Sequence, residues 1–136
     1  MQKAKTFLMF VGDKCGKAEE AISLYTSLLP NSEIKKIERW SEGEPMSVAG
    51  QVKTALFTLA GSEYMASENT ANHQLTFTPA ISIFIECESD DEIIHLHKEL
   101  SRSGKEFMPM DNYGFSKKFT WVEDRYGVSW QLNLRK

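Results

Sequence analysis

The residues best placed to do chemistry lie in the run Trp121-Val122-Glu123-Asp124-Arg125-Tyr126-Gly127-Val128-Ser129-Trp130-Gln131-Leu132-Asn133-Leu134. It reads as a strand, an Asp-to-Gly turn and a closing strand. In the closing strand Val128, Trp130, Leu132 and Leu134 alternate with Ser129, Gln131 and Asn133. Such alternation sends one set to apolar neighbours and the other to the opposite face of the sheet. A neutral amide both donates and accepts hydrogen bonds. The polar face is the candidate site. A weaker version of the strand, Gly61-Ser62-Glu63-Tyr64-Met65-Ala66, puts Gly61 and Met65 at the spacing of Gly127 and Gln131.

Other reactive residue types form no constellation. His95 and His97, two apart on a predicted helix, diverge by about 200° and cannot chelate one ion. His97 is expected to pack its ring on the helix face, with His95 solvated and His73 in a polar loop. The segment Gly12-Asp13-Lys14-Cys15-Gly16-Lys17-Ala18 has three residues between its glycines and Ala after the Lys. A phosphate-binding loop needs four and a Ser or Thr, so these glycines are read as the turn into a helix. Cys15 stands just before that helix, where a thiolate is favoured, but no histidine nearby in sequence could serve as its base. Cys15 and Cys87 make neither a CxxC nor a disulfide framework and are expected to be free thiols.

The elements that must hold these residues follow from periodicity. Residues 6–11 read as a strand and 12–16 as a turn. A helix is predicted over 17–29, with Ala18, Ala21, Ile22, Tyr25, Leu28 and Leu29 at helical spacing, acidic Glu19 and Glu20 at its start and Pro30 at its end. Strands are predicted at 32–40, 52–59 and 62–67, with a polar loop at 41–50. After a loop at 68–74 the order returns. Residues 80–86 form a strand with Ile81, Ile83 and Ile85 toward the helix. Residues 90–103 form a helix with Ile93, Leu96, His97 and Leu100 on one face and Gly104 as its C-cap, and strands follow at 105–108, 119–123 and 128–134. Residues 108–115 look like a loop that could cover a pocket mouth, with Gly114 as pivot.

Leu28 and Leu100 are 72 positions apart and Gly61 and Gly127 are 66 apart, so a unit of about half the chain recurs. The expectation is one α+β domain, 1–136, made of two βαβββ units at about 1–70 and 71–136. Their curved mixed sheets would surround a cleft, with the helices outside. The chain is 41% hydrophobic and 26% charged with a formal net charge of -3, and its basic residues are scattered. That argues against nucleic acid. The apolar run Phe7 to Val11 is too short for a signal or a membrane span, so a cytoplasmic protein with no membrane partner is expected.

The repeated element order, the helix start Gly16-Lys17-Ala18-Glu19-Glu20-Ala21, the stretch Phe77-Thr78-Pro79-Ala80-Ile81-Ser82-Ile83-Phe84 and the ending Asp124 to Leu132 closely resemble the PhnB-like, or 3-demethylubiquinone-9 3-methyltransferase-like, family. That family belongs to the vicinal oxygen chelate superfamily, with glyoxalase I, bleomycin-resistance proteins and extradiol dioxygenases. The resemblance implies a glyoxalase/bleomycin resistance-like fold and a homodimer. In metal-using relatives, His and Glu from the first and last strands of each unit surround a divalent ion. Carried over, those positions are Thr6, Met65, Ser82 and Gln131, none a good ligand for such an ion. No metal and no cofactor are therefore expected. The implied ligand cleft comprises Thr6, Met65, Ser82, Phe84, Trp121, Ser129, Gln131 and Asn133, for an unidentified small organic molecule. The alternative is an enzyme, either a metal-dependent lyase or dioxygenase, or a methyltransferase as the family name implies. Methyltransferases of the common type need a doubly wound sheet with a glycine-rich first turn, which this sequence lacks.

Overall fold

The N-terminal apolar run becomes strand β1, Thr6–Phe10, and after a 3-10 turn at Gly12–Lys14 the chain enters helix α1, Ala18–Leu28. Strands β2 (Glu33–Arg39), β3 (Val52–Leu59) and β4 (Ser62–Glu68) follow. The second half supplies β5 (Ile83–Cys87), α2 (Asp90–Ser101), β6 (Lys105–Asp111), β7 (Lys118–Glu123) and β8 (Ser129–Leu134). This computed structural model describes residues 1–136. They separate into two compact units, Met1–Thr76 and Phe77–Lys136. Each unit carries a β-α-β-β-β set and one mixed four-stranded sheet, in the order β1-β4-β3-β2 or β5-β8-β7-β6. The fold is α+β.

In the first unit the sheet face bearing Leu8, Phe10, Ala55, Phe57, Leu59 and Ala66 is buried, as are Ala18, Ala21, Ile22 and Tyr25 of α1. Burying a side chain the size of Ile22 contributes about 1.5 to 3 kcal/mol relative to leaving it exposed. The N-cap residue Lys17 makes no side-chain cap to α1. The buried Glu68 carboxylate does so from β4, accepting from Gly16 N at 2.5 Å and Ala18 N at 3.3 Å. Its second oxygen accepts from Val52 N at 2.8 Å, tying the start of β3 to the same group. A carboxylate at this position also meets the positive end of the helix dipole.

The second unit solves the same problem locally. Ser89 Oγ accepts from Glu92 N at 3.1 Å, and Glu92 returns a carboxylate oxygen to Glu88 N at 3.0 Å. This is close to a capping box and is followed by Asp90, Asp91 and Glu92 in the first turn. The apolar stripe Ile93, Leu96 and Leu100 is buried. His97 is half-buried and its Nε2 lies 2.5 Å from Glu106 Oε2 on β6. Trp130, Leu132 and Leu134 of β8 pack on the buried side with Val122 and Ile83. The turn before β8 is organised by Asp124, itself buried. Its Oδ1 accepts from Tyr126 N at 2.8 Å and Val128 N at 3.0 Å, and its Oδ2 from Trp130 Nε1 at 2.9 Å. Gly127 completes that turn at φ 90, and Gly61 takes φ 87 at the matching turn before β4, a conformation that disfavours any Cβ.

Equivalent positions of the two β-α-β-β-β sets are separated by offsets that shrink along the chain. Phe7 pairs with Met65 and Phe84 with Gln131, so the first strands match at 77 positions, against 72 for Asn31 and Ser103, both left-handed, and 66 for Met65 and Gln131. Shorter loops account for the change: 88–89 replaces 11–17, and 112–117 replaces 40–51.

Several local expectations are corrected. Strand β5 begins at Ile83, and Ile81 is 72% exposed instead of facing the helix. Helix α2 ends at Ser101, and the left-handed residue after it is Ser103 at φ 57, so Gly104 is not its C-cap. Gly104 is required for space, because a Cβ there would lie well under 3.0 Å from the Glu123 carbonyl oxygen. Strand β6 runs on through Met108-Pro109-Met110 to Asp111, which leaves 112–117 as the loop. Pro109 is tolerated because β6 is an edge strand whose pairing with β7 is interrupted by register shifts.

Two outcomes follow from this packing. Replacing Asp124 with Ala strands two backbone N–H groups and an indole N–H, and should lower unfolding free energy by about 2 to 4 kcal/mol. Asp124→Asn, which keeps one acceptor oxygen, should fall between; urea denaturation with an unchanged m-value is the check. The second concerns Cys87, whose thiol is pushed up to about 12 by burial and then by the Glu92 carboxylate. In the unfolded chain it ionises near 9.0. Above that pH the unfolded state binds fewer protons than the folded state, so stability is intact below pH 9 and declines as pH rises toward 12. The urea midpoint should drop less between pH 8 and pH 10 in Cys87→Ala than in the parent chain.

Candidate functional site

Six of the eight expected site residues share one face of the second unit's sheet. Phe84 of β5 stands opposite Gln131 of β8, which stands opposite Trp121 of β7. Ser129 and Asn133 flank Gln131 at two-residue spacing on β8, and Ser82 precedes Phe84 by two, just outside β5. The hydrogen bonds make this a connected surface. Ser82 Oγ and Ser129 Oγ are 2.7 Å apart, Gln131 Nε2 donates to Ser82 Oγ at 3.3 Å, and Trp121 Nε1 donates to Ser129 Oγ at 2.8 Å.

Asn133 anchors the other end. Its amide nitrogen donates to Glu86 Oε1 at 3.0 Å, and its oxygen accepts from the buried Ser116 hydroxyl. Arg135 donates to Glu86 Oε2 at 2.7 Å, and this guanidinium together with the Asn133 amide holds the Glu86 carboxyl below the usual range. Around these polar groups stand aromatic side chains. Phe84 is 51% exposed, and its ring lies 6.4 Å from that of Phe119, which also meets Phe115 at 5.1 Å and Tyr113 at 6.2 Å. Phe107 lies 4.9 Å from Trp121. Ser129 and Asn133 are themselves buried, so the polar side of β8 is less open than its alternation suggested.

Met65 and Thr6 belong to the first unit and do not share a face there. Met65 is opposite Phe7, whereas Thr6 is opposite Tyr64, one residue out of phase. By the pairing of β5 with β8, the second-unit counterpart of Thr6 is Ile83. The four metal positions inferred from the resemblance therefore do not form a matched set. Their chemistry also fits a divalent ion poorly: the Gln131 amide and Ser82 hydroxyl are bonded to each other, and Met65 is a soft thioether. No three His, Cys, Asp or Glu side chains come together as a metal-holding group.

Tertiary structure also brings together two residues that sequence kept apart. Cys15 and His73 line one cavity of about 350 Å³ in the first unit, with Val11, Gly12 and residues 70–75. Their separation of 58 positions gave no signal of this. Burial and the Glu68 carboxylate raise the Cys15 thiol, and His73 Nε2 is taken up by Asn69 Oδ1 at 2.9 Å. A thiol held protonated and an imidazole already engaged make a weak nucleophilic pair. No helix is long and apolar enough to cross a membrane.

Known proteins place the chain more firmly in a family than in a reaction. It is similar to the PhnB protein of Bacillus cereus, which carries the 3-demethylubiquinone-9 3-methyltransferase name, at 49% identity over 98% of this chain and 99% of that one, with a TM-score of 0.90. A protein from Pseudomonas aeruginosa matches at 22% identity, covering 99% and 98% of the two chains, with a TM-score of 0.82. A glyoxylase/bleomycin resistance protein/dioxygenase domain from Frankia matches at 14% identity over 100% and 98%, with a TM-score of 0.64. At such identities the last two show the shared fold alone. Among curated proteins none matches. The profile of the 3-demethylubiquinone-9 3-methyltransferase family fits residues 2–133, and the chain belongs to that family, within the glyoxalase/bleomycin resistance-like fold.

Proposed function

We propose that this protein binds a small organic molecule on the polar and aromatic face of β5, β8 and β7, without a divalent metal and without demonstrable catalysis. The observation that carries the reading is the row Phe84, Gln131, Trp121 across three paired strands, with Gln131 tied to Ser82 at 3.3 Å and Phe84 half exposed beside it. A polar network held in place by its own bonds, next to an exposed ring, is the arrangement that orients a ligand and shields it from water.

The activity in the family name finds no support in the sheet architecture. Neither mixed sheet is the doubly wound βαβ array of common methyltransferases. A metal-dependent lyase or dioxygenase would need stronger donors than Ser82, Gln131, Met65 and Thr6 offer. We infer further that the chain acts as a homodimer, as its family resemblance implies, and sedimentation velocity should return twice the 15.5 kDa chain mass.

The binding reading is tested at Gln131. Gln131→Ala should weaken an aromatic carbonyl ligand by about 0.5 to 1.5 kcal/mol, the worth of one neutral hydrogen bond, with little effect on folding. Gln131→Glu should not create a metal site, because its neighbours remain poor ligands. Calorimetric affinity and metal content after chelation and readdition are the measurements. Unchanged affinity in the first variant would sink the reading, and a tight stoichiometric metal in the parent chain would favour the enzyme.

A further inference from the structure

The hydrogens on this face can be counted, and the count fixes what a ligand must offer. Trp121 Nε1 can only donate, and it donates to Ser129 Oγ; Gln131 Nε2 likewise donates to Ser82 Oγ. Each hydroxyl oxygen thus already accepts one hydrogen from outside the pair. The 2.7 Å contact between the two hydroxyls uses one of their two hydrogens, and the other is left over. Leaving it on Ser129, which is 2% exposed, would strand a donor in the sheet. Ser129 therefore donates to Ser82, and the Ser82 hydrogen is the one turned outward. Beside it, with Nε2 as the amide atom turned to Ser82, Gln131 Oε1 accepts from no protein donor.

We propose that the ligand group read here carries an acceptor and a donor on the two sides of one carbonyl carbon, a carboxamide or lactam, with its ring against Phe84. This rests on the binding face proposed above and goes further by assigning the polarity of each contact. The Ser82 hydroxyl would donate to the ligand carbonyl, and Gln131 Oε1 would accept from the ligand N–H. A carboxylate offers two acceptors and would oppose Gln131 Oε1. An ester lacks the donor, and an ammonium lacks the acceptor. Ser129 acts as a positioning residue, because its bond to Ser82, backed by the Trp121 indole, turns the Ser82 hydrogen outward.

The test titrates four ring-matched probes into the full-length protein and follows backbone amide shifts by NMR: benzamide, methyl benzoate, benzoate at pH 7, and benzylamine. Benzamide should bind about three- to tenfold more tightly than the other three, the difference made by one hydrogen bond, and shift the amides of Ser82, Phe84 and Gln131. In Gln131→Glu the new carboxylate accepts the Ser82 hydrogen and leaves acceptors only, so preference should pass from benzamide to benzylamine. If methyl benzoate matches benzamide while shifting the same amides, the polarity assignment is overturned and the binding face stands. If none of the probes shifts those amides, both fall. The parent-chain ratio decides the matter even if the variant folds poorly.

Discussion

The Asp124 carboxylate fixes which way every side chain of β8 points. It gathers two turn amides and the Trp130 indole, and in doing so sets where β8 begins relative to β7. A slip of one residue would exchange Ser129, Gln131 and Asn133 for Trp130, Leu132 and Leu134, placing the core residues on the open face. The polar network on that face therefore depends on a buried carboxylate in the turn that precedes it. Glu68 does comparable work in the first unit, with a different output. It joins the start of α1 to the start of β3 and leaves the register of β4 to the hairpin at Gly61.

The duplicated units use one scaffold for two surfaces. The row Phe84, Gln131, Trp121 in the second has as its counterpart Phe7, Met65, Leu56 in the first. Identical pairing geometry thus presents an amide between two aromatic residues in one place and a thioether between two apolar residues in the other. Family membership and a shared fold describe the scaffold, while the chemistry available is decided by these few substitutions on it. A methyltransferase name inherited through the scaffold carries no residue-level warrant here.

Most of the architecture was legible because local signals agreed. Alternation in 128–134, helical spacing before Pro30, and the glycines at 61 and 127 each marked an element the structure contains. Legibility failed where the deciding contact lay far off in sequence. The family resemblance puts Thr6 and Ser82 at equivalent positions, but strand pairing matches Thr6 to Ile83, a one-residue difference that reverses its face. Ile81 looked like part of an inward alternation, yet the chain becomes a strand only two residues later. Pro109 looked like a loop residue because nothing local announces an edge strand. Gly104 resembled a helix cap, whereas its reason is the Glu123 carbonyl 19 positions away. Of the candidate site, the β8 residues were readable from period alone. The hydrogen bonds from Ser82 and Trp121 were not, since they join β7 and the residue before β5 to β8.

Parallel pairing of the first strand with the last has a further consequence in each unit. Phe10 meets Glu68, 58 positions later, and Cys87 meets Leu134, 47 positions later. At a ribosomal delivery of about 5 to 20 residues per second, β1 waits roughly 3 to 12 s for its partner. During that interval Phe7, Leu8 and Phe10 have no neighbour on the strand's free edge. β1 and β5 are thus the strands made first in each unit and hydrogen-bonded only when its last strand arrives.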